Sequence, residues 1–446
     1  MNEFKKNKKQ DALVWNEKVF NYEYLLMKID FWRKKIKEFN IKQGSVVGIE
    51  GDYSPSTIAL FFVLIEENCI IVPIAKVVGN KKSEFLKISQ AEYIISINEN
   101  DEILSNGISQ IPSHKIILKL KREGNPGLIL FSSGTTGQSK ASVHNFVPLL
   151  KKFSIKRNKY RTIIFLLYDH IGGINTLFYT LSNAGCLITV KNRNPSNVAN
   201  VIEKFKAELL PTTPTFLNMM LLDTSIKKST LKTLKLVTYG TEPMQEITLR
   251  NFNSKYPHIK LLQTYGLSEI GILRSKSKNS NSLWVKIGGE DFETRVVDEL
   301  LEIKAKSAML GYLNAESPFT DDGWFKTGDQ VQIDGEYLKI LGRKSDIINI
   351  GGQKVFPAEI ENIIQNITDI DQVTVFSEKN IIMGEIVCAK VYSSKKIEKK
   401  IITQRIKKFC KEKLLSYQVP SRIILSKFPL HNQRFKTNRS KINNDY

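Results

Sequence analysis

The clearest chemical pattern in the chain follows a short apolar run. Residues 128–131 are apolar, and the nine residues at 132–140 are all Ser, Thr, Gly, Gln or Lys. Glycines let backbone N–H groups converge on an anion, hydroxyl groups add donors, and a lysine adds positive charge. This is no Walker loop, because Gln138 and Ser139 separate Gly137 from Lys140. The pattern predicts a phosphate-binding loop, and the alternative is a flexible surface loop.

Five later segments extend the pattern. They are TYGTEP at 238–243, QTYGLSE at 263–269, GWFKTGD at 323–329, GRKSDIINIGGQKVFPAEIE at 342–361 and TNRSKI at 437–442. With SSGTTGQSK, they resemble in the same order the motifs of AMP-forming acyl-adenylating enzymes, the family of acyl-CoA synthetases, peptide-synthetase adenylation domains and luciferases. The resemblance covers residues 125–446, and the order makes it more specific than any single segment.

The resemblance implies a two-step reaction. A carboxylic acid attacks the α-phosphate of ATP to give acyl-AMP and pyrophosphate, and a thiol then displaces AMP. Because negative charge builds on phosphate oxygens in the first step, cations and N–H groups should dominate catalysis. The implied cofactors and substrates are ATP, Mg²⁺, a small-molecule carboxylic acid, and either CoA or the phosphopantetheine arm of an acyl carrier protein.

The phosphate and metal contacts follow from the same resemblance. The residues that would hold the β- and γ-phosphates are Ser132, Ser133, Gly134, Thr135, Thr136, Gly137 and Lys140. Thr136 is also a candidate catalytic residue, and Ser268 would contact the α-phosphate. Glu269 would ligate Mg²⁺, which favours one or two carboxylates plus phosphate oxygens. Outside its motif, Glu269 would be read as a charge at a helix N-terminus.

The nucleoside contacts are also implied by the motifs. The residues that would frame the base and the ribose are Gly240, Thr241, Glu242, Tyr265, Gly266, Asp329 and Arg343. Tyr265 would stack on adenine, although a bare tyrosine would be assigned to the core. Asp329 can accept both ribose hydroxyls, and its alternative is an Asx turn.

Lys441 occupies the position of the family's catalytic lysine, which bridges the attacking carboxylate and the α-phosphate. The family usually has Gly before this lysine, whereas this chain has Ser440, which tolerates positive φ poorly. Without the resemblance, a lysine here would belong to a solvated tail. The polar stretch at 438–446 is expected to be mobile.

Two domains are predicted, a large one at 1–342 and a small mobile lid at 343–446. Ser345 takes the position of the hinge, where many relatives have Asp or Lys, and Asp346 could share the role. Rotation of the small domain would present another face for the thiol step. Gly351 and Gly352 would then line the thiol channel.

The sequence says least about the acyl group of the substrate. His170 matches a family position that borders the acyl pocket and gates the thiol, although a lone histidine is more often structural. Ile171 stands where adenylation domains for α-amino acids usually carry Asp, so we disfavour an α-amino acid. Further candidate pocket residues are Gly172, Gly173, Thr213 and Tyr239. A role in fatty acid metabolism is one expectation, and the length of the acyl group is open.

These residues need a scaffold of strands and helices. An amphipathic helix is predicted at 20–39, and strands are predicted at 45–51, 70–74, 115–120 and 127–131, among others. Short apolar strands alternating with helices indicate parallel-type sheets covered by helices. The fold class is therefore α/β for the large domain, with a small α+β unit after it.

Composition leaves other functional classes of protein open. The formal net charge of +21 would suit an acidic carrier protein, CoA or nucleic acid, but the lysines are scattered and the ordered motifs argue against nucleic acid. The four cysteines form no CxxC motif, which fits a cytoplasmic location. The N-terminal segment lacks the apolar core of a signal peptide, and no stretch reads as a membrane span. A catalytically dead adenylate-binding protein remains a further alternative.

Overall fold

The structure is a computed structural model of the 446-residue chain. It describes residues 1–437 apart from 106, 108–109, 134–138, 290 and 382–383. The expectation that 438–446 are mobile lies outside this range.

The α-helices of the described residues, in chain order, are α1 (Asn2–Lys6), α2 (Tyr22–Glu38), α3 (Pro55–Glu66), α4 (Lys82–Ser89), α5 (Lys115–Glu123), α6 (Phe146–Lys151), α7 (Ile171–Ser182), α8 (Pro195–Phe205), α9 (Pro214–Leu222), α10 (Glu246–Lys255), α11 (Pro357–Ile364) and α12 (Lys399–Lys413). The strands are β1 (Asp11–Trp15), β2 (Lys18–Asn21), β3 (Val46–Gly51), β4 (Ile70–Ala75), β5 (Tyr93–Ile97), β6 (Ile103–Ser105), β7 (Gly127–Ser133), β8 (Ser139–Asn145), β9 (Arg161–Ile163), β10 (Cys186–Ile188), β11 (Leu209–Thr212), β12 (Leu236–Tyr239), β13 (Lys260–Gln263), β14 (Gly266–Leu267), β15 (Gly271–Ile272), β16 (Ser275–Ser277), β17 (Trp284–Ile287), β18 (Phe292–Val297), β19 (Leu300–Ala305), β20 (Gly311–Tyr312), β21 (Phe325–Asp334), β22 (Tyr337–Arg343), β23 (Ile348–Ile350), β24 (Gln353–Val355), β25 (Gln372–Asn380), β26 (Gly384–Tyr392) and β27 (Arg422–Ser426).

Two large sheets have parallel centres, as predicted. One runs in the order β13-β12-β11-β9-β10-β1-β2, and only its edge strand β2 is antiparallel to its neighbour. The other runs β20-β8-β7-β4-β3-β5-β6, with parallel pairing from β7 to β5. Buried apolar side chains of both sheets and of α2, α3 and α7 form one continuous core cluster. This arrangement confirms the α/β class.

A third sheet was not predicted. It is antiparallel, in the order β16-β17-β22-β21-β19-β18. After it, a short 3₁₀ turn at Lys344–Asp346 leads into a smaller sheet of β23–β27, whose core cluster is made with α11 and α12. The smaller C-terminal unit is therefore present, while the predicted boundary at 342/343 stays a prediction.

One predicted strand is a helix. The segment KIILKL at 115–120 lies in α5, which the His114 side chain caps by accepting from the N–H of Ile116 and which ends at Gly124 with φ +62°. Ile117 and Leu120 are the buried residues of α5, one helical turn apart. The cap residues and the three-residue spacing outweigh the β-propensity of isoleucine.

The structure agrees with the sequence on two simpler points. All four cysteines, Cys69, Cys186, Cys388 and Cys410, are free and buried. In the residues that the structure describes, no helix is long and apolar enough to cross a membrane.

Candidate active site

Three neighbouring parallel strands deliver predicted site residues to one sheet edge. The register pairs Thr212 of β11 with Tyr239 of β12, and Tyr239 with Gln263 of β13. The chain therefore leaves these strands at the same level, and TYGTEP and QTYGLSE continue from them. In open α/β sheets, ligands bind outside the carboxyl ends of such strands.

A cavity of about 970 Å³ lies at this edge. It is lined by residues from both parallel sheets, the antiparallel sheet and the C-terminal unit. The predicted site residues that line it are Ser132, Lys140, His170, Ile171, Gly240, Thr241, Glu242, Tyr265, Gly266, Ser268, Glu269, Asp329, Arg343 and Asp346.

Some predicted residues fall outside the described part of the chain. These are Gly134, Thr135, Thr136, Gly137 and Lys441. Ser133 is the last residue of β7, so the strand leads directly into the predicted phosphate loop. The roles of these residues stay predictions.

Three candidate pocket residues have structural roles. A Cβ added to Gly173 would meet the Leu167 carbonyl oxygen at 2.0 Å, so close packing requires glycine there. Thr213 is fully buried and caps α9, and Tyr239 belongs to a core cluster. The structure does not bring Gly173, Thr213 or Tyr239 to the lining of this cavity.

The candidate hinge and thiol-channel residues lie at the surface. Ser345 is exposed, and its hydroxyl is 3.2 Å from a carboxylate oxygen of Asp346. Gly351 and Gly352 form the exposed turn between β23 and β24 with φ of +54° and +87°. Neither glycine lines the 970 Å³ cavity.

The side of the cavity predicted to bind phosphate is built by the β7–β8 hairpin. Its register places Ser132 opposite Lys140, and the Lys140 ammonium lies 5.5 Å from the ring centroid of Tyr312. The Tyr312 hydroxyl donates to Glu269 at 2.7 Å. A lysine, a serine and a carboxylate thus border the end of the phosphate loop.

The same residues fit a magnesium ion. The described residues contain no cluster of three or more His, Cys, Asp or Glu side chains that could hold a metal alone. Mg²⁺ in nucleotide sites needs only one or two carboxylates, because phosphate oxygens and water complete its shell. Glu269 offers such a carboxylate and would be the protein ligand.

The side of the cavity predicted to bind ribose is built by the antiparallel sheet. Its register pairs Asp329 of β21 with Arg343 of β22, and Arg343 Nε lies 3.3 Å from Asp329 Oδ1. The hydroxyl of Tyr265, a 7% exposed residue, donates to Asp329 Oδ2 at 2.5 Å. Burial raises the pKa of the Asp329 carboxyl, and Arg343 and Tyr265 oppose that rise. The two partners leave each oxygen a lone pair for a ribose hydroxyl.

A C-terminal hairpin segment, residues 431–437, closes the cavity. Arg434 makes a bidentate ion pair with the buried Asp169, at 3.0 and 2.6 Å. The N–H of Thr437 donates to Glu242 at 3.0 Å, and the other Glu242 oxygen accepts from the N–H of Thr215 at 2.8 Å. Glu242, expected to frame the base, therefore also holds this segment. Its last described residue, Thr437, is four positions before Lys441.

Two nitrogen donors face each other inside the cavity. His170 Nδ1 accepts from the N–H of Gly172 at 3.1 Å and so caps α7, which leaves the proton of a neutral ring on Nε2. That atom lies 3.4 Å from Lys436 Nζ. Burial and then Lys436 hold the pKa of His170 well below its usual range, and burial lowers the pKa of Lys436 to about 8. An anionic oxygen to one side of the pair can accept from both nitrogens.

Sequence reasoning missed four residues of this site. Tyr312, Asp169, Arg434 and Lys436 all line or hold it. A usable signal existed for three of them, since Asp169 adjoins His170 and both Arg434 and Lys436 directly precede the TNRSKI segment. Tyr312 lies far from every motif, and only the pairing of β20 with β8 brings it near Lys140.

A second cavity, of about 1290 Å³, adjoins the first. Gly172 lines it. Gly240, Thr241, Thr264 and Gly266 line both cavities. The two spaces therefore meet at the turns that follow β12 and β13.

Comparisons with known proteins agree with this geometry. A Staphylococcus epidermidis protein described as a putative long chain fatty acid-CoA ligase, VraA, is 25% identical over 98% of this chain and 95% of its own length. The long-chain-fatty-acid-CoA ligase FadD13 of Mycobacterium tuberculosis is 26% identical over 67% of this chain and 63% of its own length. The crystal structure of ATP-bound MatB from Rhodopseudomonas palustris has the same fold, with a TM-score of 0.78 and 19% identity, covering 97% of this chain and 96% of MatB.

The family itself is identified over most of the chain. The model of the AMP-binding enzyme family matches residues 2–305, which include the β7–β8 hairpin, TYGTEP and QTYGLSE. This match confirms the resemblance drawn from the six motifs. The chain therefore belongs to the AMP-binding enzyme family.

Proposed function

We propose that the protein activates a carboxylic acid with ATP, forming acyl-AMP and pyrophosphate, and then transfers the acyl group to the thiol of CoA. The observation that carries the proposal is the single cavity that gathers Lys140, Glu269 and the Asp329–Arg343 pair beneath the segment leading to Lys441. The relatives named above, which are described as CoA ligases, support this reaction class.

The order of groups along the cavity suggests how ATP is oriented. The ribose would lie at Asp329 and the adenine against Tyr265, while the triphosphate would run toward Ser132 and Lys140. Mg²⁺, bound by Glu269 and phosphate oxygens, would neutralise charge on the triphosphate. Lys441 would then stabilise charge that develops as the carboxylate attacks the α-phosphate.

The acid would bind between His170 and Lys436. Their facing N–H groups need an acceptor, and a carboxylate oxygen supplies one with opposite charge. Both residues line the same cavity as Ser132 and Lys140, which supports a meeting of the acid with the α-phosphate there. His170 would thus border the acyl group, as its position in the family implies.

The thiol step requires the C-terminal segment to move. The Arg434–Asp169 and Thr437–Glu242 contacts hold residues 431–437 against the cavity, and they would break when the small domain rotates about Ser345 and Asp346. Gly351 and Gly352 would then approach the thiol. A holo acyl carrier protein is the alternative acceptor, which the net charge of +21 would attract.

Exchange of labelled pyrophosphate into ATP tests the first step. Wild type should catalyse exchange only with a carboxylic acid present. Glu269→Gln should lower the rate about a hundredfold through loss of the metal ligand, whereas the exposed Glu316→Gln should not change it. Exchange that is absent with every acid, or present without any acid, contradicts the proposal.

The acceptor is tested separately. Preformed acyl-AMP is supplied with either CoA or a holo carrier protein, and AMP release is measured. Faster release with CoA supports the proposal. Release with the carrier protein but not with CoA would show that the carrier protein is the acceptor.

A further inference from the structure

The second cavity is where the acyl group of an adenylate would extend. It meets the nucleotide cavity at Gly240, Thr241, Thr264 and Gly266. A Cβ on Gly266 would lie 2.5 Å from the Ile272 side chain, and one on Gly240 would lie 2.5 Å from the Thr264 carbonyl oxygen. Glycine at both positions keeps the backbones packed together at the junction. This reading of the second cavity rests on the proposed function.

The second cavity contains an ammonium group without an acidic partner. Lys152, at the end of α6, lines it and donates to the carbonyl of Ile272 at 2.9 Å. Within the part of the chain that the structure describes, no carboxylate forms an ion pair with Lys152. Burial is the one cause that lowers the pKa of Lys152, to about 7. An ammonium group in such a place is stabilised by an added anion.

The acids that line the same cavity are already neutralised. Asp291 pairs with Lys306 at 3.2 Å, and Glu336 pairs with Lys286 at 2.5 Å. Neither carboxylate is therefore paired with Lys152.

The partners of this ammonium in the structure carry no negative charge. They are the Ile272 carbonyl and the face of the Phe153 ring, whose centroid lies 5.0 Å from Lys152 Nζ. A plain hydrocarbon chain would fill the cavity without adding a charged partner, which costs free energy. A substrate with an anionic oxygen at depth would supply that partner.

We propose that Lys152 binds a second carboxylate at the far end of the substrate, so that the enzyme prefers dicarboxylic acids to monocarboxylic acids of the same length. The acid would be activated at one end in the nucleotide cavity. The other end would accept from the Lys152 ammonium, and the Ile272 carbonyl would hold that ammonium in place. No bond to Lys152 forms or breaks.

Pyrophosphate exchange with paired acids tests this role. Dicarboxylic acids of increasing length are compared with monocarboxylic acids of the same length, in wild type and in Lys152→Met, which keeps the apolar stem. We expect Lys152→Met to lower kcat/KM for the preferred dicarboxylic acid about tenfold to a hundredfold, the scale of one charge-assisted hydrogen bond. Its kcat/KM for the matched monocarboxylic acid should stay the same or rise.

Two further variants sharpen the test. Lys427→Met removes an exposed charge that lines neither cavity and should leave the preference unchanged, while Lys152→Arg should retain part of it. Equal loss with both acids overturns the proposal, as does a preference for monocarboxylic acids in wild type. A raised KM for CoA without a change in acid preference assigns Lys152 to the thiol substrate and also overturns it. Absence of exchange with every acid in wild type would instead count against the proposed function itself.

Discussion

The two cavities differ in how their charged groups are satisfied. In the nucleotide cavity, Asp329 is paired with Arg343, Asp169 with Arg434, and Glu269 accepts from Tyr312. In the adjoining cavity, Lys152 contacts a backbone carbonyl and the Phe153 ring, and no carboxylate among the described residues pairs with it. The carboxylates of the first site are preorganised by protein partners, whereas the second site leaves a buried ammonium without a charged partner. We infer that the first serves chemistry common to the family and the second selects the acid.

The largest expected effect is at Lys441. Lys441→Ala should lower acid-dependent pyrophosphate exchange about a hundredfold to a thousandfold, the cost of losing one group that stabilises developing charge. Release of AMP from supplied acyl-AMP by the thiol should be spared, because the lysine acts only in the first step. The exposed Lys427→Ala is the control. Exchange that survives in Lys441→Ala would remove this residue from the first step.

The ribose contact should give the next effect. Asp329→Asn removes a charged acceptor and leaves Arg343 without its partner, so we expect KM for ATP to rise about tenfold to a hundredfold. KM for the acid should change little, which locates the defect in the nucleotide cavity. Asp334→Asn, on the same strand and exposed, should behave like wild type in steady-state kinetics. An unchanged KM for ATP in Asp329→Asn contradicts the ribose assignment.

Breaking the Arg434–Asp169 ion pair, which holds the C-terminal segment, should affect the two half-reactions differently. Arg434→Gln leaves the buried Asp169 carboxylate unpaired, and we expect exchange to fall about tenfold, since breaking a buried pair is costly. Thiol-dependent AMP release from supplied acyl-AMP should not fall. The double variant Arg434→Gln/Asp169→Asn should recover part of the exchange rate, because no unpaired charge remains. Equal loss of both half-reactions in Arg434→Gln would show that the pair serves stability alone.

The smallest effect is expected at Lys436 and depends on pH. Because the pKa of Lys436 is about 8, its ammonium is charged below that pH and loses its proton above it. KM for the acid should therefore rise as pH increases through about 8. The charged groups that act on it are Glu242, Arg434, Arg343 and Asp169, and the neutral His170 ring faces it.

Lys436→Met isolates this titration. The variant should bind the acid severalfold more weakly at neutral pH, in line with about 1 kcal/mol for one hydrogen bond, and its KM should lose the step near pH 8. Comparison with wild type is needed because the pKa of Lys152, about 7, also lies in this range. An identical pH profile in both proteins contradicts the assignment of Lys436 to the acid.

The sequence predicted the parts of the site that depend on local order along the chain. TYGTEP and QTYGLSE follow predicted strands that are parallel neighbours in the structure, so their positions at one sheet edge could be inferred from parallel pairing. The α/β class followed from the same alternation of strands and helices. The strand prediction for KIILKL was wrong because it relied on the β-propensity of isoleucine. The cap residues His114 and Gly124, which favour a helix, were not weighed.

Other parts depend on contacts between distant segments. The antiparallel sheet brings Asp329 beside Arg343, and the pairing of β20 with β8 brings Tyr312 to Lys140. Thr213 and Tyr239 were expected in the acyl pocket, but helix capping and core packing use them instead. Lys152 carries no motif, and its isolation from acidic partners is visible only in three dimensions.

A crystal structure with Mg²⁺ and a non-reactive acyl-adenylate analogue tests most directly whether the two cavities together bind one acyl-adenylate. We predict the ribose hydroxyls within hydrogen-bonding distance of Asp329, the adenine beside Tyr265, and the acyl chain in the cavity that Lys152 lines. An adenylate bound away from Asp329 and Tyr265 would contradict the assignment of the cavity to ATP.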